Sequence, residues 1–391
     1  MKIYRVAILG CGGRGKAAAL AYHEHPRTSV VGLCDLEKDM RDKLGTSIGV
    51  TARYDDLDLM ISETNPDIVA IPTGTEFHYE LCMRVLEHGV NIEVEKPMTI
   101  DLEQADQIIA KAKDKGARIA VHHQGRVGGA MKATYLAYKS GKIGELRYIS
   151  GSGKGYYGGY GLMNIGTHTL NAIFKLGGHC RSVNSVLSTD GRPVTPEDVI
   201  PSPSGMGTIA GEFITANLHL QGNVTATLLQ HRFPEMATIG GERVGHTMEF
   251  FGTEGRIFLQ GHANAWVLSE PHRLPEGNVA SWEALEKIFP DSYNESNQSE
   301  EDDYWFVEEY VNALDENRDH ECSGVEALHV IETMMGIFES GAYGKRIDLP
   351  QQNRQHPLVR WRAENGLGMP DKMPRKVPEW LEAEDQRLGR R

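Results

Sequence analysis

The chain has 391 residues, of which 40% are hydrophobic and 24% are charged, and this composition excludes disordered and low-complexity proteins. Its formal net charge of −13 disfavours proteins that bind the backbone of DNA or RNA. The five cysteines form no C-x-x-C pair and no apolar run approaches the ~20 residues of a membrane span, so we expect a cytoplasmic protein without a disulfide framework.

The first third of the chain alternates short β-branched runs with amphipathic stretches, which is the pattern of βαβ units in a parallel sheet. The predicted strands are Tyr4–Leu9, Ser29–Asp35, Asp67–Ile71, Val90–Glu95 and Arg118–His122. The predicted helices are Lys16–His25, Asp55–Glu63, Phe77–His88 and Leu102–Lys115. Right-handed crossovers would join them into a Rossmann sheet, so we assign residues 1–124 to a dinucleotide-binding domain.

From residue 125 onward the strand-like segments are longer, and short turns join several of them directly, which favours antiparallel pairing. The predicted strands are Leu146–Gly151, Glu212–Leu220, Asn223–Phe233, His246–Phe251 and Gly255–Gln260. We therefore predict an α+β domain over 125–350 with a large, mainly antiparallel open sheet, and an α/β fold overall. Two later helices, Asp302–Glu316 and Gly324–Ser340, are long enough to cover a face or to return to the first domain.

Residues 351–391 are rich in proline and arginine and contain Trp361 and Trp380. This composition predicts an extended C-terminal arm. The arm could equally well lie on a neighbouring subunit or fold on its own subunit.

A glycine-rich turn, Gly10–Gly15, follows the first predicted strand and has the pattern G-x-G-x-x-G. In dinucleotide-binding folds these glycines permit a tight turn, close approach of the pyrophosphate and close packing of helix on strand. Asp35 ends the next strand, where a carboxylate accepts from a ribose hydroxyl and repels a 2′-phosphate. The pattern predicts NAD, and Lys38 leaves NADP open. Ala17 stands where a P-loop needs Ser or Thr, which disfavours a nucleoside triphosphatase.

Glu95, Lys96 and Pro97 follow a predicted strand at the carboxyl edge of the sheet, where α/β folds bind their ligands. An ordinary surface ion pair before a proline is the alternative explanation.

These motifs, with Ile71–Thr73, His78, the Gly141–Gly144 turn, Phe251–Gly255 and Leu349–Pro350, resemble the glucose-fructose oxidoreductase and inositol dehydrogenase family (Gfo/Idh/MocA) over most of the chain. The resemblance implies hydride transfer between a nicotinamide cofactor and a carbinol carbon of a sugar or polyol, with Lys96 in the active site. It implies a cofactor site composed of Gly10, Gly12, Gly13, Arg14, Gly15, Asp35, Pro72, Thr73, His78, Glu95 and Lys96.

A further motif of that family, D-x-x-x-H-x-x-D, falls on Asn164, His168 and Asn171, so amides replace both carboxylates while the histidine is kept. On a helix these positions form one polar stripe, which we expect to face the cleft. Oxidation of a carbinol requires a base within ~3 Å of the hydroxyl proton. We predict that Lys96 and His168 are catalytic and share the proton transfer, because loss of a neighbouring carboxylate lowers a lysine pKa.

The run Gly151–Gly161 bears tyrosines whose rings could stack on a sugar, and a flexible connection between domains explains the run equally well. Gln124 and Arg126 follow the last Rossmann strand, and Arg126 would either bind substrate or hold a carboxylate at the domain junction. The predicted substrate contacts are Lys96, Gln124, Arg126, Tyr156, Tyr157, Asn164, His168 and Asn171. The histidines show no recognisable metal-ligand spacing, so no metal is predicted.

The function that the sequence favours is an NAD(P)-dependent dehydrogenase of a sugar, sugar derivative or polyol. Because the two carboxylates are missing, a redox-neutral glycosidase that oxidises its sugar transiently stays as the alternative, and a binding protein that keeps NAD as a ligand is a third. We expect a homo-oligomer, since an open antiparallel sheet commonly buries its free face against another subunit, and the family resemblance implies a homodimer or homotetramer. No nucleic-acid or membrane partner is expected.

Overall fold

The computed structural model describes residues 2–153, 155–232, 246–269 and 281–390. Contacts between residues divide the chain into two compact units. The first unit contains residues 1–99, 104–129 and 288–328. The second unit contains residues 100–103, 130–287 and 329–391.

The first unit is a Rossmann domain with a six-stranded parallel sheet in the order β3-β2-β1-β4-β5-β6. Its strands are β1 Tyr4–Leu9, β2 Thr28–Cys34, β3 Arg53–Tyr54, β4 Ile68–Ile71, β5 Asn91–Val94 and β6 Ile119–Val121. Its helices are α1 Gly13–Glu24, α2 Lys38–Ile48, α3 Leu57–Thr64, α4 Thr75–Glu87 and α5 Leu102–Lys115. The predicted fold class is confirmed, and this strand order brings the carboxyl ends of β1, β4 and β5 side by side.

The sequence predicted five of these strands and missed the short β3 and helix α2. Helix α2 buries only Leu44, Gly45 and Ile48, so its apolar stripe is too narrow to be recognised against its charged face. The central strands are easier to predict, because β4 is buried along its whole length and parallel strands covered on both faces are continuously apolar.

Helix α9, Glu301–Asp315, belongs to the first unit, which departs from the predicted continuous domain over 125–350. Phe306 and Val311 lie in the hydrophobic core of the Rossmann unit, and the Tyr310 hydroxyl donates to the Ile92 carbonyl at 2.8 Å. The chain therefore returns to the first domain, one of the two outcomes that the sequence left open. An apolar helix face alone does not identify the sheet that it covers.

The second unit contains a ten-stranded mixed sheet in the order β17-β16-β15-β14-β7-β13-β12-β8-β18, with β9 paired to β8. Its strands are β7 Leu146–Ser152, β8 Cys180–Thr189, β9 Arg192–Pro193, β12 Phe213–Leu220, β13 Thr225–Gln230, β14 Thr247–Gly252, β15 Arg256–Gln260, β16 Asn264–Leu268, β17 Glu283–Leu285 and β18 Ile347–Asp348, and a separate hairpin pairs β10 Ile200–Pro201 with β11 Thr208–Ile209. The helices here are α6 Gly129–Lys139, α7 Gly158–Asn164, α8 Gly166–Gly177 and most of α10 Gly324–Tyr343, whose first turn belongs to the first unit. Among the described residues, all strand pairs of the large sheet are antiparallel except β7 with β13.

The C-terminal arm is helical and folds on the second unit of its own chain. It contains α11 Pro357–Glu364 and α12 Val377–Arg387. Trp380 is completely buried and its indole N–H donates to the Pro201 carbonyl at 2.8 Å. The prediction of an extended arm was therefore wrong, because the sequence does not reveal that Trp380 has an interior site on the same chain.

In the described part of the chain, no helix combines the length and apolar character that a membrane span requires.

Candidate functional site

The glycine turn between β1 and α1 has the geometry that a dinucleotide requires. Gly10 has φ +112°, and a Cβ on Gly15 would lie 2.0 Å from the Gly10 carbonyl oxygen. A Cβ on Gly12 or Gly13 would meet no described atom within 4 Å. Gly10 and Gly15 thus permit the tight turn and the close contact of helix with strand. Gly12 and Gly13 leave open space at the N-terminus of α1, the positive end of the helix dipole, where a pyrophosphate fits.

Asp35 follows β2 and is held by backbone donors. Its carboxylate accepts from the Cys11 N–H at 2.6 Å and from the Glu37 N–H at 2.9 Å. The Arg41 guanidinium donates to the Asp35 carbonyl oxygen at 2.7 Å. The carboxylate therefore lies directly beside the glycine turn, at the position that selects a ribose hydroxyl.

The Pro72–Thr73 segment after β4 forms the adjacent wall of this turn. A Cβ on Gly10 would lie 2.9 Å from the Thr73 methyl group, and the Thr73 hydroxyl oxygen is buried without a hydrogen-bond partner among the described residues. A buried hydroxyl normally has a partner. This orphaned group beside the open glycines fits a bound dinucleotide.

His78 has a structural position, which does not fit the predicted contact with the cofactor. Its side chain is completely buried, with Nδ1 3.0 Å from the Pro97 carbonyl oxygen and Nε2 3.1 Å from the Thr73 carbonyl oxygen. Burial lowers the pKa of His78, and the hydrogen bonds with the Pro97 and Thr73 carbonyl oxygens oppose this shift. The histidine joins the loop after β4 to the loop after β5.

Arg14 is also bound to protein groups. Its Nε donates to Glu95 at 2.7 Å and its Nη2 lies 3.3 Å from an Asp303 oxygen. Burial opposes the charge, but the two carboxylates outweigh it and raise the pKa of Arg14 above its ordinary value. Arg14 therefore links the glycine turn to the segment that carries Lys96.

A buried charge network continues from this arginine, and sequence reasoning missed it. His122 places Nδ1 2.6 Å from Glu93 and Nε2 2.8 Å from Asp303. Burial alone would lower the pKa of His122, but the two carboxylates raise it to about 10. Burial alone would raise the pKa of Asp303, but His122 and Arg14 lower it to about 2. The only sequence signal was the His122–His123 pair, which has no metal-ligand spacing.

Lys96 follows β5 and is half-buried. Its backbone N–H donates to a Glu95 carboxylate oxygen at 3.0 Å. Burial would raise the pKa of Glu95, but His122 and Arg14 hold it below the ordinary value. An ionised carboxylate thus fixes the backbone beside the lysine.

Gln124 and Arg126 lie together in a short 3₁₀ turn after β6. The Gln124 amide oxygen is buried without a hydrogen-bond partner among the described residues, whereas Arg126 lies 3.4 Å from a Glu326 carboxylate oxygen. Arg126 therefore holds a carboxylate of its own unit rather than one across the domain junction, and substrate binding by Arg126 stays a prediction. Gln124 keeps an oxygen for a ligand.

The second unit contains a cavity of about 320 Å³ at the junction of α7 and α8. The Asn164 amide nitrogen donates to the Tyr160 hydroxyl at 3.0 Å. The described lining consists of Tyr156, Tyr160, Gly161, Asn164, Ile165 and Val377. Among the predicted substrate residues, the structure thus places Tyr156 and Asn164 in one cavity, and Tyr160 and Val377 join them.

His168 and Asn171 lie on α8, while Asn164 ends the preceding helix α7, so the predicted polar stripe spans two consecutive helices. His168 is 7% exposed and Asn171 is 1% exposed. The His168 ring meets the His262 ring edge-on at 5.1 Å, and His262 in turn meets His246 at 5.0 Å.

Tyr157 does not fit the predicted substrate contact. It is 1% exposed, its ring meets Trp380 edge-on at 4.8 Å, and its hydroxyl donates to Glu384 at 2.9 Å. The neighbouring glycines are structural as well, since a Cβ on Gly158 would lie 2.8 Å from three backbone carbonyl oxygens. The glycine-rich run is therefore partly a tightly packed helix, which neither of its two predicted roles foresaw.

Lys96 belongs to the first unit, and Asn164, His168 and Asn171 belong to the second. Within the described ranges, no group of three or more His, Cys, Asp or Glu side chains could hold a metal ion.

Residues 4–123 match the family described as an oxidoreductase family with an NAD-binding Rossmann fold. The chain is 32% identical over 138 residues to the uncharacterised oxidoreductase YhhX of Escherichia coli K12, which covers 35% of this chain and 39% of that protein. It is 28% identical over 198 residues to the D-glucoside 3-dehydrogenase of the same organism, which covers 46% of this chain and 56% of that protein. The chain thus spans only about two fifths to just over half the length of these curated relatives.

The solved structure of levoglucosan dehydrogenase in complex with NADH and levoglucosan is similar to this chain in fold. The TM-score is 0.72 at 19% identity, and the match covers 90% of this chain and 100% of that one.

Proposed function

We propose that this chain is a member of the Gfo/Idh/MocA oxidoreductase family and an NAD(P)-dependent dehydrogenase that acts on a carbinol carbon of a sugar, sugar derivative or polyol. The observation that carries the proposal is the adjacency of β1, β4 and β5 in the first unit. Their carboxyl ends bring the open glycine turn, the orphaned Thr73 hydroxyl and Lys96 to one edge of the sheet. The names of relatives that act on glucosides and levoglucosan support the substrate class.

The cofactor residues divide into two groups. Gly12, Gly13 and the Thr73 hydroxyl would face the pyrophosphate, and Asp35 would accept from the adenosine ribose. Gly10, Gly15, Pro72, His78, Arg14 and Glu95 shape and hold the loops around them. When bound, the nicotinamide supplies the acceptor for the hydride.

The proton chemistry falls to this chain's own side chains. We assign Lys96 to the substrate hydroxyl, where its ammonium group would donate a hydrogen bond to the developing alkoxide or, when neutral, accept the proton. We assign a share of that transfer to His168, whose imidazole can accept a proton at one ring nitrogen. Asn164 would hold a second sugar hydroxyl, since its amide donates and accepts equally well.

The missing carboxylates at 164 and 171 keep a redox-neutral glycosidase as the second candidate. One experiment distinguishes the dehydrogenase from the glycosidase. Purified protein with NAD is incubated with free sugars, polyols and aryl glycosides, while NADH is followed at 340 nm and released aglycone is measured. NADH formation with a free sugar or polyol supports the dehydrogenase. Aglycone without net NADH supports the glycosidase, and no change in either signal contradicts both.

The open face of the second unit's sheet supports a homodimer or homotetramer. Val186 is 66% exposed and Phe213 is 36% exposed on the same face, because Val186 pairs with Thr215, two residues from Phe213. An exposed apolar sheet face of this kind commonly contacts a second copy. Light scattering at micromolar concentration should give a multiple of 43.3 kDa, and a monomer would contradict the assembly. The five cysteines, all free, support a reducing compartment such as the cytoplasm.

A further inference from the structure

The C-terminal helix α12 forms one side of the second-unit cavity. Val377, its first residue, lines the cavity opposite side chains that come from α7 and the turn before α8. More than two hundred residues of sequence separate Val377 from Asn164, so nothing local in the sequence connects them. The cavity exists in its present shape only because the arm folds back onto this unit.

The arm is anchored on both sides of Val377. Two residues before it, the Arg375 carbonyl accepts from the Ser204 N–H at 2.9 Å, and the Ser204 hydroxyl is hydrogen-bonded to Tyr160 in the cavity wall. Three residues after it, Trp380 is completely buried with its N–H on the Pro201 carbonyl. Val377 is thus held between two fixed points.

Ion pairs extend this anchorage along the helix. Arg387 donates to Glu384 at 2.7 Å and lies 3.4 Å from Asp198, a carboxylate whose side chain is 1% exposed. Asp385 binds Arg232 at 2.8 Å. Networks of partly buried pairs hold geometry better than isolated surface pairs do. Helix α12 is therefore a fixed wall.

The chemistry of the wall restricts the ligand. The described lining offers two tyrosine rings, one amide and the aliphatic side chains of Ile165 and Val377, and none of these groups carries a charge. A phosphate would require cationic or N–H donors. A volume of about 320 Å³ is at the small end of the ~300 to 1,000 Å³ of ligand pockets.

We propose that this cavity takes an uncharged sugar of monosaccharide size, and that Val377 of the C-terminal arm sets the size limit. The proposal rests on the proposed function for the identity of the site as the sugar site. Tyrosine rings stack on the apolar face of the sugar while Asn164 and Tyr160 bind its hydroxyls. The Val377 side chain closes the space beyond the ring.

The test compares Val377→Phe and Val377→Ala with Glu382→Ala, a control at an exposed position of the same helix. Binding of D-glucose, myo-inositol, levoglucosan, methyl glucoside and glucose 6-phosphate to NADH-loaded protein is measured by calorimetry, so the readout does not need turnover. Thermal melting and NADH affinity show whether each variant is folded.

We expect Val377→Phe to weaken binding of the best neutral probe about tenfold or more, as one or two methylenes do in a fitted pocket. Val377→Ala should improve binding of the methyl glucoside relative to the free sugar, and Glu382→Ala should leave both unchanged. Equal affinities in all three variants would overturn the size limit. Tighter binding of glucose 6-phosphate than of glucose, or no binding of any neutral probe, would overturn the substrate class.

Failure of the proposed function gives a different result. Neutral sugars could bind, and Val377→Phe could weaken their binding, while no probe yields NADH. That result would support the size limit set by Val377 and contradict the dehydrogenase activity. If NADH forms with a neutral sugar and the KM for that sugar is the same in Val377→Phe as in Glu382→Ala, the dehydrogenase activity is supported and the size limit set by Val377 is contradicted.

Discussion

The loops around the glycine turn in the first unit and the cavity in the second unit are built in opposite ways. Around the loops of the first unit, the buried side chains of Glu95, His122 and Asp303 form a network of charges with Arg14, which is 41% exposed. The described lining of the cavity in the second unit carries no charge. A dinucleotide pyrophosphate has the same charge whichever substrate is used. The protein loops around it can therefore be held in one arrangement by ion pairs. If this cavity is the proposed sugar site, it must distinguish neutral hydroxyl patterns, and its shape with amide and phenol hydrogen bonds does this without a cost of charge desolvation.

The largest effects should come from the two residues proposed to transfer the proton, Lys96 in the first unit and His168 in the second. Lys96→Met and His168→Ala should each lower kcat by about 10² to 10⁴, the usual contribution of general acid–base groups. Steady-state NADH formation measures this. Lys113→Met and His23→Ala remove the same side chains at exposed sites and should have no effect. Normal turnover in both active-site variants would refute the shared proton transfer.

The next largest effect concerns the charge network. His122→Gln removes an imidazolium between Glu93 and Asp303 and should lower the free energy of unfolding by about 3 to 5 kcal/mol, as for other broken buried pairs. Urea titrations measure it, with the exposed His23→Gln as the control.

The same residue predicts a pH dependence. The pKa of His122 is raised to about 10 in the folded protein, so its stabilisation is complete below its unfolded value near 6.5 and is lost as the pH rises through 10. The stability of the wild-type protein should therefore fall between pH 7 and 10 more steeply than that of His122→Gln. Parallel curves would show that His122 is neutral in the fold.

A smaller pair of effects separates folding from cofactor binding within the glycine turn. Gly15→Ala places a Cβ 2.0 Å from a backbone oxygen, so it should lower both the melting temperature and NADH affinity. Gly12→Ala enters open space and should leave the melting temperature of the free protein unchanged while weakening NADH about tenfold, or about 1.4 kcal/mol. Unchanged NADH affinity in Gly12→Ala, followed by tryptophan fluorescence, would place the pyrophosphate elsewhere.

The loops around the glycine turn and the cavity of the second unit also differ in how much of them could be predicted from the sequence. The glycine turn, Asp35 and Lys96 depend on local spacing after strands, and the structure places them at one sheet edge as expected. The charge network could not be predicted in the same way, because Asp303 and Arg14 are 289 residues apart in the sequence.

The sugar side shows the same limit more clearly. Tyr156 and Tyr157 are adjacent in sequence, yet one lines the cavity and the other is buried under Trp380. Only the folded position of the C-terminal arm distinguishes them. Val377 had no sequence signal at all, since an aliphatic residue before a proline is ordinary in any helix start.

The smallest expected effect tests whether the neutral cavity is itself functional. Asn164→Asp restores the family's carboxylate, and the Tyr160 hydroxyl can turn to donate to it, so the cavity should keep its shape. If Asn164 lies near Lys96 in the working enzyme, the new charge favours the ammonium form and raises the lysine pKa. The rise of kcat/KM with pH should then move upward by about one unit. Asn294→Asp, at an exposed turn position where the side-chain oxygen still accepts from Ser296, adds the same charge elsewhere and should not move it. An unchanged pH profile in Asn164→Asp would mean that the residue at position 164 does not affect the pKa of Lys96. The amide would then serve only to bind the ligand of the cavity.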